Sequence, residues 1–215
     1  MSHLLRVSLP DVPGSLGAVA TALGLAGANI TAIEVVEQRP DGSVVDDVFV
    51  DFEPGVMPDM VVSAVQRLDG AHVEWVSRYA AAGNLHLDLE AIEVITADPA
   101  KVVERLVDVL PLTFRSDWAM MARLTADQLE VVQATGGAPD LPPECRTWFP
   151  VKHAFRPEIP AGWSDWGSAV VAVAPFGDSM QAVLFGRRGG PEILDSELAR
   201  LNHLAAVAAT IEAVA

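Results

Sequence analysis

Hydrophobic and polar positions at the start of the chain follow first a period of two and then a period near 3.6. Leu5, Val7 and Leu9 alternate with other residues, which predicts a strand with one buried face. The apolar residues that follow recur at intervals of three and four, which predicts a helix over residues 14–26. Gly27 stands where a left-handed C-cap would end that helix.

The same two periods continue to residue 79. Alternation over 30–38 and 43–53 predicts two strands joined by a turn, and a helical stripe over 56–68 precedes a strand at 71–79. The strand over 43–53 is predicted to turn one set of side chains inward and another outward: Val48, Val50 and Phe52 in, Asp47 and Asp51 out. The predicted order is βαββαβ.

Two short motifs recur and support this order. Pro13-Gly14 returns as Pro54-Gly55, each time between a strand and a helix, and GANI at 27–30 returns as GAHV at 70–73, each time between a helix and a strand. Two βαβ-like halves in one sheet form the ferredoxin-like arrangement. Residues 1–79 are therefore predicted to be an α+β domain of this type.

Residues 80–97 are predicted to link this domain to a second one at 98–215. Alternating leucines make residues 85–95 either a linking strand or a short helix. Asp98-Pro99 marks the start of a further helix, and Pro111 is predicted to stop it. Further elements follow: strands at 118–124, 129–134, 168–174 and 181–186, and a last helix from residue 195 or 196. Residues 136–167, rich in proline, glycine and tryptophan, have little periodicity, which is typical of a segment that covers a site or packs as a lid.

Charge and cysteine content exclude several kinds of partner. The net charge of −15 opposes binding to nucleic acid or to anionic membranes. Residues 12–33 carry no charge over the length of a membrane span, but their four glycines and one-sided apolar pattern predict core instead. A single cysteine allows no internal disulfide, and the first residues lack the pattern of a signal peptide, so a cytoplasmic protein is predicted.

Two motifs in the first domain resemble the ACT domain: LPDVPGSL at 9–16 and GANI at 27–30. The resemblance implies that such domains pair side by side and bind amino acids, or similar small effectors, at the interface of the pair. It also implies a ligand-binding wall at the turn after the first strand and another at the start of the second strand. The residues carried over are Asp11, Gly14, Ser15 and Leu16 for one wall, and Asn29 and Ile30 for the other. Leu9 and Asp11 stand where some serine-binding members have His and Asn, which leaves the ligand open.

The chemistry of these residues is consistent with an amino acid ligand. Backbone N–H groups of residues 14–16 lie at the positive end of a helix dipole and suit a carboxylate. Asp11 suits an ammonium group, and Asn29 offers both a donor and an acceptor. The alternative is that Asp11 and Asn29 serve only the turn and the helix end.

The second domain resembles a GAF domain in its final strand and helix, residues 182–214, where ELARL at 197–201 begins the helix. The resemblance implies an antiparallel sheet flanked by helices. Such a domain can enclose a small molecule, or it can have lost its ligand and serve dimerisation.

Catalytic and cofactor motifs are missing from the sequence. Cys145 and the five histidines have no metal-ligand spacing, GWSDW at 162–166 is not a nucleophile elbow, and GRRGG at 186–190 lacks the Walker and dinucleotide patterns. The sequence therefore predicts a non-catalytic regulatory protein that senses a small effector as a homodimer, without metal or cofactor, with an enzyme as a possible partner. Two alternatives stay open: an enzyme of amino-acid metabolism with its site in 136–167, regulated by the first domain, and a scaffold whose pockets are vestigial.

Overall fold

The computed structural model describes residues 2–78, 84–126, 128–160, 162–163 and 165–214. It divides the chain into two compact units, Met1–Gly83 and Asn84–Ala215. The end of the strand predicted at 71–79 and the first residues of the predicted linker, 80–83, lie outside the described residues.

The first unit has the predicted βαββαβ order. Its elements are β1 (Ser2–Pro10), α1 (Ser15–Leu25), β2 (Ala28–Gln38), β3 (Ser43–Phe52), α2 (Pro58–Gln66) and β4 (His72–Arg78). The strands form one antiparallel sheet in the order β2-β3-β1-β4, so the two central strands are β3 and β1. This ferredoxin-like topology confirms the predicted α+β class.

The core of the first unit lies between the helices and one face of the sheet. Val19 and Leu23 of α1 and Val61 and Val65 of α2 are buried against apolar strand residues. The strand residues in this core have the alternation that the sequence predicts: Leu5, Val7 and Leu9 on β1, and Val44, Val48 and Val50 on β3.

Asp47 corrects one prediction. It lies on the sheet face opposite the helices, as alternation requires, but it is fully buried instead of facing solvent. Arg6, its register partner on β1, is buried as well and donates to the Asp47 carboxylate from Nε at 2.8 Å and from a terminal nitrogen at 3.0 Å. A buried carboxylate requires such a partner, and the partner comes from a strand 41 residues away.

The second unit is an antiparallel sheet with three helices on one face. Its elements are α3 (Asn84–Thr96), α4 (Val102–Thr113), β5 (Trp118–Leu124), β6 (Leu129–Ala134), β7 (Ala169–Phe176), β8 (Asp178–Arg188) and α5 (Asp195–Glu212). The strand order is β6-β5-β8-β7. All four predicted strands are present, and helix α4 continues through Pro111 instead of stopping there.

Residues 84–96, assigned from the sequence to the linker, form helix α3 and pack within the second unit. Ala91 and Ile95 are buried with residues of α4 and α5. Arg200 of α5 donates two hydrogen bonds to the Asp88 carboxylate, at 2.8 and 2.6 Å. Of the two alternatives for 85–95, the structure therefore has the helix.

The irregular segment 136–167 covers the other face of this sheet. Its central part is a 3-10 helix, Pro143–Trp148, and its tryptophans pack against β5. Trp166 meets Trp118 edge to face, with ring centroids 5.2 Å apart, and donates its indole N–H to the carbonyl oxygen of Asp140 at 2.9 Å. The segment thus forms part of a second core, on the sheet face opposite the helices.

Candidate functional site

The turn between β1 and α1 is the candidate site, and a glycine shapes it. Gly14 has a φ of 98°, in the left-handed region that favours glycine, and helix α1 begins at the next residue. The Asp11 N–H donates to the carbonyl oxygen of Gly42 at 2.9 Å, which fixes the turn to the β2–β3 hairpin. Asp11, Gly14 and Leu16 are exposed and Ser15 is half-buried, so the turn is an open surface in one copy of the chain.

The backbone donors of this turn are partly in use. The Ser15 N–H donates to the carbonyl oxygen of Val12 at 3.2 Å. Among the described residues, no backbone acceptor takes the N–H groups of Gly14, Leu16 or Gly17. These three groups lie at the start of α1, where the helix dipole favours an anion. Of the set 14–16 considered from the sequence, Gly14 and Leu16 keep free N–H groups, whereas Ser15 does not and Gly17 takes its place.

The Asp11 carboxylate is nearly free as well. Its one hydrogen bond within the described part of the chain comes from the Gln38 side-chain amide, at a long 3.5 Å. Gln38 pairs with Val44, whose side chain belongs to the core under the helices, so Asp11 lies over the helix-facing side of the sheet. An open carboxylate beside open N–H groups can receive both ends of a zwitterion.

Asn29 and Ile30 lie at the other end of the sheet. Asn29 pairs with Asp51 and Asp51 pairs with Ser2, whereas the turn follows Pro10, which pairs with Ser43. Eight strand residues separate the two positions, or about 27 Å at 3.4 Å per residue. Asn29 is exposed and Ile30 is half-buried against the core. One copy of the chain therefore does not bring the two predicted walls together.

Asp46 is a further residue near the turn, which the sequence reasoning missed. It is 2% exposed, and no hydrogen-bond donor within the described residues reaches its Oδ1 atom. Burial raises the pKa of the Asp46 carboxyl above its ordinary value, and the charges of Asp11 and Asp47 raise it further. The sequence contained a signal for the burial of Asp46, because Asp46 has the same parity along β3 as the inward residues Val48 and Val50.

The second unit buries its possible nucleophile. Cys145 is fully buried, and burial raises the pKa of its thiol to about 12, with a smaller contribution from Glu144. Ser164 of the GWSDW stretch lies outside the described residues. In the GRRGG stretch, Arg187 is buried and donates to the Glu197 carboxylate at 2.7 Å. The described residues contain no group of three or more metal-ligating side chains.

None of the helices in the described ranges combines the length and the apolar content that a bilayer crossing requires.

These features define the first unit as an α+β domain of ferredoxin-like topology with an open donor turn. Residues 3–60 match the family model of the ACT domain, which confirms the resemblance seen at 9–16 and 27–30. A curated protein, NAD-dependent malic enzyme 1 of Bacillus subtilis (strain 168), is 37% identical over 78 residues, which is 36% of this chain. The chain spans only 18% of that relative's length.

The chain is also similar to solved structures over a larger share of its length. One is the free methionine-R-sulfoxide reductase from Neisseria meningitidis in complex with its substrate, with a TM-score of 0.50 and 11% identity over 63% of this chain and 94% of that one. Another is the A. Aeolicus nlh2 GAF domain, with a TM-score of 0.45 and 11% identity over 61% and 96%. At such identities the likeness concerns the fold alone. Further GAF domains are among the similar solved structures, and the ACT domain is a typical small-molecule-sensing regulatory domain.

Proposed function

We propose that the chain is a non-catalytic regulatory protein whose first unit binds an amino acid, or a related small effector, between two copies of itself. The turn at 11–17 carries this proposal, because it places free N–H donors and a free carboxylate within a few residues of each other. An amino acid presents the complementary carboxylate and ammonium groups. The helix dipole at the start of α1 favours the carboxylate there.

A second copy of the chain completes the site in this proposal. The walls at Asp11–Leu16 and at Asn29 lie about 27 Å apart along the sheet of one copy, which supports a site shared between two copies. Two such units that meet side by side and antiparallel bring the turn of one copy to the Asn29 of the other. The proposed assembly is a cytoplasmic homodimer with two equivalent sites.

The proposed output is a change in the dimer or in a partner enzyme. An effector shifts such an equilibrium only by the difference between its affinities for the two states. The similarity to part of a malic enzyme supports a regulatory role beside an enzyme, since the matched segment is a small fraction of that relative.

The proposal assigns segment 136–167 a structural role instead of a catalytic one. Trp148, Trp163 and Trp166 pack together in the core on the sheet, with centroid separations of 5.4 to 6.1 Å. Cys145 is buried among them, and at neutral pH a thiol with a pKa of about 12 is protonated and a poor nucleophile. These observations favour the regulatory function over the alternative of an enzyme of amino-acid metabolism with its site in this segment.

A thermal-shift screen of the full chain against the twenty amino acids tests the proposal. A ligand at a hundred times its Kd adds about 2.7 kcal/mol to the free energy of unfolding, which is a readily measured rise in Tm. We expect at least one amino acid to give this rise. The proposal fails if none of the twenty moves the transition.

A complementation experiment tests whether the site is shared. Asp11→Ala and Asn29→Ala each damage both sites of a homodimer, whereas a heterodimer of the two variants retains one intact site. Titration calorimetry with the amino acid found in the screen should show weak binding to each homodimer and restored binding, at half the wild-type stoichiometry, to the co-expressed heterodimer. Asn202→Ala in the second unit is the matched control. A heterodimer that binds no better than its parents contradicts the shared site.

A further inference from the structure

Asp46 occupies a position on β3 that faces the hydrophobic core of the first unit. It belongs to the same face of β3 as Val44 and Val48, which are both buried under the helices. Its register neighbours on the adjacent strands are Val7 of β1 and Val35 of β2. Burying a carboxyl group at such a position is costly unless it is neutral or has a partner.

No cationic partner reaches Asp46 within the described part of the chain, and its Oδ1 atom accepts no hydrogen bond. Helix α1, which packs over β2, contains no charged residue at all. On the other face of the sheet, Asp47 is neutralised by Arg6. The charges that raise the pKa of Asp46 are those of Asp11 and, to a smaller extent, Asp47.

Asp11 and Asp46 therefore lie on the same side of the sheet. The Asp11 carboxylate lies 3.5 Å from the Gln38 amide on the helix-facing side, and Asp46 belongs to that side on β3. Two carboxyl groups, one of them buried without a partner, repel each other as anions and together attract a cation. The described residues supply no third carboxylate, histidine or cysteine to complete a metal site here.

We propose that Asp46, together with Asp11, receives the ammonium group of the bound amino acid, an inference that rests on the function proposed above. The three N–H bonds of a primary ammonium suit two carboxylates, and its positive charge supplies the partner that the buried Asp46 carboxyl lacks in one copy of the described chain. The α-carboxylate of the same ligand lies within reach of the free N–H groups of Gly14, Leu16 and Gly17. The site thereby selects amino acids over hydroxy acids or keto acids of the same shape, which have no cation to offer.

Binding is then expected to release protons. The ligand arrives and stays as an ammonium, which favours the carboxylate form of Asp46, so whatever fraction of a proton Asp46 carries in the free protein passes to the buffer. The register neighbours of Asp46 are Val7 and Val35, and the charges that act on it are those of Asp11 in the turn and Asp47 behind the sheet.

Asp46→Asn tests this inference, because it keeps the shape of the side chain and removes the negative charge. The probe is the amino acid with the largest thermal shift in the screen, compared with the 2-hydroxy acid of the same side chain. Losing one charge-assisted hydrogen bond should weaken amino acid binding roughly ten- to a hundredfold and leave the weak hydroxy acid binding unchanged. Asp59→Asn, an exposed position on α2, is the matched control and should bind like the wild type.

Titration calorimetry in two buffers of different ionisation enthalpy measures the released proton. Wild type should release a fraction of a proton per site that falls as the pH rises, and Asp46→Asn should release none. If the variant binds the amino acid as wild type does, or releases the same proton, Asp46 is not the ammonium partner although the proposed function stands. If wild type binds none of the twenty amino acids, the proposed function itself fails and this inference falls with it.

Discussion

Gly186→Ala is the substitution for which the fold of the second unit makes its sharpest prediction. Gly186 on β8 pairs with Trp118 on β5. A Cβ atom built on Gly186 overlaps the Cε2 and Cζ2 atoms of the Trp118 ring and lies 2.7 Å from its Nε1. Non-bonded carbon atoms prefer about 3.5 to 4.0 Å, so the ring or the strand has to move.

The cost of Gly186→Ala follows from how little room the ring has. Trp118 is fully buried and packs against Trp166, so the overlap cannot be relieved by a flexible chain end. Overpacking of this kind costs about 1 to 3 kcal/mol, and we expect the upper end here. For a unit of this size, about 3 kcal/mol lowers Tm by roughly 10 °C.

Urea unfolding followed by tryptophan fluorescence measures this cost. Four of the five tryptophans belong to the second unit, so the signal reports mainly on that unit. Gly136→Ala is the control, since its Cβ meets open space, and it should change the free energy of unfolding by less than about 0.5 kcal/mol.

A double-mutant cycle with Trp118→Phe then tests the cause. The smaller ring removes the overlapping atoms, so Gly186→Ala should cost far less in that background than in the wild type. The reasoning is refuted if Gly186→Ala is neutral, or if the two substitutions are additive.

Three further predictions concern the first unit. Gly14→Ala should lower the free energy of unfolding in urea by about 1 to 2 kcal/mol because of the positive φ at Gly14. Gly17→Ala lies inside α1 with open space around its Cβ and should raise that free energy by up to about 1 kcal/mol, so equal effects of the two substitutions would contradict the strained turn. Asp47→Asn removes the carboxylate from a buried ion pair with Arg6 and should cost about 3 to 5 kcal/mol, and a cost below 1 kcal/mol would argue against the pair. Burial raises the pKa of the Asp46 carboxyl, so the stability that depends on its protonated form is fully present below the ordinary pKa and is lost as the pH rises through the raised pKa. The gain in the free energy of unfolding from Asp46→Asn should therefore grow from pH 4 to pH 7, and a gain that does not change with pH would contradict the shift.

Local patterns in the sequence were sufficient to predict most elements of both units. Strands β5 and β6 begin and end where alternation predicts, and the order βαββαβ follows from periodicity and the repeated Pro-Gly and Gly-Ala motifs. The turn at Gly14 was predictable as well, since a glycine before an apolar stripe signals a change of backbone direction. These features depend on residues within a few positions of each other, which a single sequence displays directly.

Contacts between distant residues were decided only by the tertiary structure. The alternating leucines at 85–89 left helix and strand equally open, and packing against α4 and α5 determined the helix. Arg6 and Asp47 neutralise each other across a strand register that no local pattern specifies. The same register places Asn29 far from the turn at Asp11.

Asp46 shows most clearly which features the sequence determines and which the tertiary structure decides. Its parity along β3 was readable in the sequence, and parity alone predicts that it faces the core. Two other features depend on how β2, β3 and the turn come together. No hydrogen-bond donor in the described residues reaches the Asp46 Oδ1 atom, and Asp11 lies over the same face of the sheet. Periodicity follows from the geometry of one chain segment, whereas the surroundings of a buried charge are set by every segment that packs around it.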